Sequence, residues 1–316
     1  MTVLVTGATG NVGAHVVHAL LERGVPVRAF ARDPEAAARR LGPGVEIAAG
    51  DFADRAALAR AVRGADRLFL ACANDPAQIG FECAAIDTAA AAGVRRVVKL
   101  SGPRPAADAP LVFERWHAAI EAHLGRSGLP SVLVRPAAFM TNVLAFAEPV
   151  ARTGMLMAPA GTARIAYVDP RDVAAVAAVA LAEDGHEGRV LAATGPEAVT
   201  YEQLARDLSA ATGRQIAYVH VPDEAAREAM LGAGMPAGMA DAIVTAYAGY
   251  RAGSMTRTTD TVRSVTGHEP RPFATFARDH AALFGAGDPR SQADDPAVTD
   301  SSTGTLPRIA LEYGQR

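Results

Sequence analysis

The segment Val3-Leu4-Val5-Thr6-Gly7-Ala8-Thr9-Gly10-Asn11-Val12-Gly13 joins a run of buried-strand character to three glycines, each separated by two residues. Gly7 lets the chain turn sharply off a strand, Gly10 removes the Cβ that would stand in the path of a pyrophosphate, and Gly13 lets the next helix pack closely on the sheet. Unpaired N–H groups at a helix start, together with the positive end of its macrodipole, favour negative charge. The flanks agree with this reading: residues 1–6 read as a strand, and Val12, Val16, Val17, Leu20 and Leu21 recur at helical spacing. A dinucleotide site is therefore expected at Gly7, Thr9, Gly10, Asn11, Val12 and Gly13. A second group with chemical potential is His117 and Glu121, one turn apart on the same face of a later helical stretch. An imidazole titrates near neutral pH, and a carboxylate beside it could raise its pKa and orient it.

These residues need a scaffold. Short Val/Leu-rich runs near 3–6, 27–30, 45–48, 67–71, 96–100 and 131–134 alternate with Ala-rich helical stretches centred on Val17, Ala37, Leu58, Ala85 and Ala118. This pattern is that of an α/β protein with a doubly wound parallel sheet, a Rossmann arrangement whose ligand crevice lies at the carboxyl ends of the strands. Gly7, Arg32, Asp51, Asn74, Ser101 and Pro136 all fall at such ends. Residues 1–135 are read as the dinucleotide-binding domain, with a return segment at 165–182. Residues 136–284 are read as a smaller substrate-binding lobe, with further elements near 189–193, 201–211 and 215–221. From residue 285 the composition turns to Gly, Asp, Pro, Ser and Thr, a polar tail that cannot bury enough apolar surface to offset its ordering. Its late apolar residues Leu306, Ile309, Leu311 and Tyr313 could dock on a second copy, making a homodimer one outcome.

The charge at the tip of the second strand bears on the cofactor. NAD enzymes of this architecture place a carboxylate there for the ribose hydroxyls, whereas a 2′-phosphate needs a cation. Here the tip reads Phe30-Ala31-Arg32, so the fork of Arg32 favours NADP(H), with Arg28 as a possible helper. Asp33 is the rival, but the order Asp33-Pro34-Glu35 is that of a helix N-cap.

Net charge of −3 over 316 residues, with 21% charged residues, offers no basic field for nucleic acid. The cysteines, Cys72 and Cys83, have neither metal-ligand spacing nor a disulfide framework and read as reduced packing thiols. The first strand begins at once, leaving no room for a signal peptide, and no apolar run approaches the ~18–20 residues of a membrane span, so a cytoplasmic place is expected.

The glycine spacing, Ala29-Phe30-Ala31-Arg32-Asp33-Pro34, Ala49-Gly50-Asp51, Val97-Val98-Lys99-Leu100-Ser101-Gly102, the run from Leu133 to Met140 and the run from Ala166 to Val173 resemble the NmrA-like group of atypical short-chain dehydrogenase/reductases. The resemblance covers about residues 1–284 and looks closest to the NADPH quinone oxidoreductase and triphenylmethane reductase types. It implies an adenine contact at Asp51 with Phe52 beside it, and a nicotinamide end near Asn74 and Ser101. Ordinary superfamily members protonate a carbonyl with a Tyr assisted by a Lys four residues later. The matching stretch here, Phe113-Glu114-Arg115-Trp116-His117-Ala118-Ala119-Ile120-Glu121, has neither and places His117 and Glu121 at those positions. Lys99 is the one lysine in the chain.

Three consequences stand open: His117 donates the proton, no side-chain acid is needed, or the site binds cofactor without turnover. Pro136, Phe139, Met140 and Asn142 are expected to form one wall of an acceptor pocket, with Met155 and Met157 opposite, because Met lines adaptable apolar sites. The reading that follows is an NADP(H)-dependent reductase of a planar, largely apolar carbonyl or quinone-type compound, with no metal. The alternative is a non-catalytic NAD(P)-sensing regulator, and an isomerase or dehydratase is a third reading.

Overall fold

The computed structural model describes residues 1–286, so the expected tail lies outside the described residues except for its first two. The first half alternates strand and helix: β1 (Val3–Val5), α1 (Gly13–Glu22), β2 (Val27–Ala31), α2 (Pro34–Leu41), β3 (Glu46–Ala49), α3 (Arg55–Val62), β4 (Arg67–Leu70), α4 (Gln78–Ala91), β5 (Arg96–Leu100), α5 (Val112–Arg126) and β6 (Ser131–Pro136). A 3-10 segment (Met140–Phe146) follows, then α6 (Ala147–Thr153), β7 (Met155–Ala158), α7 (Pro170–Ala182), β8 (Val190–Ala193), α8 (Tyr201–Thr212), β9 (Ala217–His220), α9 (Asp223–Gly232), α10 (Ala237–Arg251), α11 (Thr261–Thr266) and α12 (Phe273–Asp279).

Seven strands form one sheet in the order β3-β2-β1-β4-β5-β6-β8, and every pair is parallel. The reversal of order between β1 and β4 opens the crevice expected of a doubly wound sheet. The inner strands are buried on both faces, which is why they read as mostly apolar runs rather than alternating ones, with Arg67, Arg96 and Lys99 buried in ion pairs. One face is covered by α1 and α7, where Val16, Val17 and Leu20 meet Val173, Val176 and Ala177. The other is covered by α3, α4 and α5 through Leu58, Ile86, Ile120 and Leu124.

The chain returns to the main sheet further than residues 165–182. β8, expected in the second lobe, pairs with β6 through Leu133–Val190 and Pro136–Ala193, and Val262 of α11 packs in the same core as α1 and α7. The second lobe has its own core, with Leu156, Leu204, Leu208, Phe273, Phe276 and Phe284, and a two-stranded parallel ribbon of β7 and β9.

The two cores meet where the loop after β8 passes the segment before α7. A Cβ on Gly195 would lie 2.1 Å from the Tyr167 carbonyl oxygen, a backbone atom with little room to retreat. Gly195→Ala is therefore expected to lower unfolding free energy by about 1–3 kcal/mol, read as a lower urea midpoint with an unchanged slope.

Candidate active site

A crevice of about 2000 Å³ runs across the carboxyl ends of the strands and on under the second lobe. Gly7, Thr9, Gly10, Asn11, Val12 and Gly13 line one end, as expected. Gly7 takes φ of +59°, and a Cβ there would meet the Ala71 carbonyl at 2.9 Å; a Cβ on Gly13 would sit 2.1 Å from the Gly7 carbonyl. The third glycine thus seats α1 on the turn. α2 and α3 are capped by the side chains of Asp33 and Asp54, but α1 has no side-chain cap and no acid in its first turn. Its positive end is left to the crevice.

Arg32 lies 3.9 Å from Asp51 at the tips of β2 and β3, both exposed, and Arg40 of α2 lines the same end. Asp33 accepts from the Ala36 N–H at 2.9 Å and is committed to its cap. Asp51 does not cap α3; that is done by Asp54, while Asp51 accepts from Ala53 N–H. Arg28 is no helper, because Glu46 and the carbonyls of Ala61 and Arg63 hold it on the other side of the sheet edge. Phe52 packs edge-on to Phe30 and stacks on Phe81, giving the crevice an aromatic patch beside Asp51.

Asn74, Ser101 and His117 all line the middle of the crevice. The expected His117–Glu121 pair does not form. Arg135 of β6 grips Glu121 with two N–H donors, at 3.0 and 2.5 Å, and the Ser101 hydroxyl donates to Glu121 at 2.6 Å. A guanidinium from a neighbouring strand matches a carboxylate better than a single imidazole can. Glu121 is not among the crevice residues, and Ser101 presents a lone pair to the crevice rather than a proton.

His117 turns instead to Lys99, whose ammonium lies 3.3 Å from Nδ1. Burial first, and the Lys99 charge second, push the His117 pKa down to about 2, so the ring is neutral at ordinary pH. Lys99 and its partner Glu82 of α4 are both fully buried, joined at 2.6 Å, and Gln78 donates to the other Glu82 oxygen at 2.8 Å. Nothing in the linear spacing brings α4, β5 and α5 together here.

The apolar end lies under the second lobe. Pro136, Phe139, Asn142 and Met157 line it, with Met230, Met239, Tyr247 and Tyr250 from α9 and α10. Met140 and Met155 do not line it. Met140 is 1% exposed in the core of the lobe, and Met155, at the outer end of β7, is 39% exposed. Asn11 of the glycine turn donates to Thr141 at 2.8 Å, tying the two ends of the crevice together. Cys72 also borders the crevice, its thiol pushed up to about 12 chiefly by burial, and so stays protonated.

A seven-stranded parallel sheet with a glycine turn at its switch point and an apolar pocket alongside defines a nucleotide-binding α/β protein of the reductase type. Residues 1–270 match the model of the NmrA-like family, and the chain belongs to that family. It is 38% identical over 288 residues to an NAD(P)H azoreductase of Xenophilus azovorans, covering 90% of this chain and 99% of the relative. It is 42% identical over 283 residues to a (4-alkanoyl-5-oxo-2,5-dihydrofuran-3-yl)methyl phosphate reductase of Streptomyces griseus, covering 89% and 99%. The fold superposes on an NADPH-dependent quinone oxidoreductase of Escherichia coli, crystallised with NADPH, with a TM-score of 0.80 at 30% identity, covering 88% and 99%.

The depressed pKa of His117 has a consequence for stability. Below about pH 6.5 the unfolded chain's ring takes up a proton that the folded ring refuses, so this residue's contribution is full above that pH and is lost as pH falls. In urea titrations, the stability advantage of wild type over His117→Asn is expected to shrink between about pH 8 and about pH 5. A constant advantage would show that the folded ring titrates normally.

Proposed function

We propose that the protein is an NADPH-dependent reductase that delivers hydride to a planar, largely apolar carbonyl, quinone or azo-type acceptor. The observation that carries this reading is one continuous crevice with a phosphate-suited turn and Arg32 at one end and an aromatic, methionine-containing wall at the other. Its volume of about 2000 Å³ exceeds the ~300–1,000 Å³ of a single small-ligand pocket. Dinucleotide and acceptor can lie in it together.

NADPH, when bound, supplies a hydride carrying both electrons. Gly10 leaves room for the pyrophosphate, the N-terminal N–H groups of α1 receive its charge, and Arg32 with Arg40 meets the 2′-phosphate. Phe139, Met157 and Tyr250 hold the acceptor flat and exclude water, so orientation and fixed dipoles do most of the work. His117, being neutral, stabilises the negative charge that develops on the acceptor's oxygen or nitrogen as a hydrogen-bond donor, and the proton that completes the product comes from water. Burial and the neighbouring Lys99 cation disfavour a protonated imidazole here, which supports a hydrogen-bonding over a proton-donating role.

The named reductases at 30% identity or more support an enzyme over a non-catalytic sensor or an isomerase. Among the described residues no helix is long and apolar enough to cross a membrane. Action in the cytoplasm on a small molecule, without nucleic acid, completes the proposal. Pairing into a homodimer is also part of it, to be tested by light scattering; the tail residues that suggested it lie outside the described residues.

Purified protein with NADPH and a panel of quinones, aromatic ketones and azo dyes should consume NADPH; tight binding without turnover on any acceptor would favour the sensor. Arg32→Ala is expected to weaken NADPH by more than about ten-fold while leaving NADH nearly unchanged. Equal losses would remove Arg32 from 2′-phosphate recognition.

A further inference from the structure

We infer that Lys99 is a positioning residue that fixes the tautomer of His117, so that the ring presents its Nε2–H to the acceptor. The inference rests on the reading of His117 as facing the acceptor. Its basis is a count of protons. The ammonium of Lys99 has three N–H donors and no lone pair. They are aimed at Glu82 Oε2 at 2.6 Å, the Leu100 carbonyl at 3.0 Å and His117 Nδ1 at 3.3 Å.

A nitrogen that faces a charged donor must accept, so Nδ1 is unprotonated and the single ring proton of neutral His117 resides on Nε2. The ring is also wedged: a Cβ on Gly102 would lie 2.9 Å from its Cδ2. With Nδ1 held by β5 and Cδ2 seated over Gly102, Nε2 is the polar atom left for the crevice.

The pair Lys99–Glu82 is fully buried, yet the strand or helix packing alone does not call for an ion pair, since apolar residues of similar volume would serve stability as well. The arrangement instead gives the crevice a neutral donor polarised by a cation behind it. Lys99 of β5 contacts the ring and is paired with Glu82 of α4; Cys72 after β4 and Glu114 of α5 line the same crevice, and Glu121 of α5 is held by Arg135 of β6. Of these, Glu121 is neutralised by Arg135, and Lys99 is the charge that acts on the ring.

The test is the tautomer itself, read by long-range proton–nitrogen correlation on histidine-¹⁵N-labelled protein, with His117→Asn assigning the signal among eight histidines. The expected wild-type spectrum has a pyridine-type Nδ1 and a pyrrole-type Nε2, unchanged between about pH 5 and pH 8. A proton on Nδ1, or titration within that range, overturns the inference without any variant. In the charge-neutral double variant Lys99→Met with Glu82→Gln, His117 should show mixed tautomers and regain a titration in that range. Turnover of a quinone should fall about ten-fold with KM for NADPH unchanged. Where that variant does not fold, Lys99→Gln with Glu82→Gln keeps polar groups in the pocket and takes its place. A folded double variant with unaltered tautomer and unaltered turnover also overturns the inference. The spectra need no acceptor, so failure to find turnover counts against the proposed reductase and leaves the tautomer result standing on its own.

Discussion

The close approach of three backbone segments at the end of β1 is the constraint on which the site depends. The Thr6 hydroxyl lies 3.1 Å from the Phe69 carbonyl and 3.0 Å from that of Ala71, and accepts from the Ala71 N–H at 3.0 Å, which locks β1 to the end of β4. One residue later Gly7 must turn with positive φ while passing the Ala71 carbonyl, and Gly13 must bring α1 down onto the Gly7 carbonyl. Side chains at either glycine would push β4 or α1 outward. The crevice opens between these segments, so its depth is set by the absence of two Cβ atoms.

Opposite charges along that crevice are paired between partners drawn from different elements. At the outer end Arg32 and Asp51 are exposed and near each other, a surface pair worth little to stability and available to a ligand. In the middle, two buried or half-buried pairs, Lys99–Glu82 and Arg135–Glu121, flank His117 and Ser101. Both carboxylates are satisfied away from the crevice, which leaves it a neutral imidazole and a serine lone pair. A hydride acceptor that becomes negative meets no carboxylate there from either pair.

The sheet was legible because inner parallel strands are apolar on both faces, and the Asp33-Pro34 cap because its chemistry is local. What failed was non-local. β8 is four residues long with Val190 exposed, so nothing in it announces that it pairs with β6, more than fifty residues earlier. Met155 and Met157 stand two apart on one strand and share a face, yet only the inner one reaches the crevice, a matter of where the strand ends rather than of residue type. The partner of Glu121 was misread for a related reason. An i,i+4 neighbour on the helix was the nearest candidate by spacing, but the sheet brought a better donor, Arg135, across from β6.

The absence of Tyr and Lys from α5 then takes on a different meaning. In the ordinary superfamily arrangement both the proton donor and the cation that tunes it come from one helix, four residues apart. Here a cation comes from β5, at Lys99, and an imidazole from α5, at His117, so the two groups in contact are drawn from a strand and a helix that the fold already packs together. The side chain of Lys99 is fully buried and does not line the crevice. Its ammonium is spent on Glu82, the Leu100 carbonyl and the ring, and none of its donors is left for a ribose or a substrate. Its charge therefore meets the crevice by way of the imidazole. A neutral imidazole yields its proton far less readily than an imidazolium would, so negative charge arising beside it is met by a hydrogen bond from the ring rather than by proton transfer.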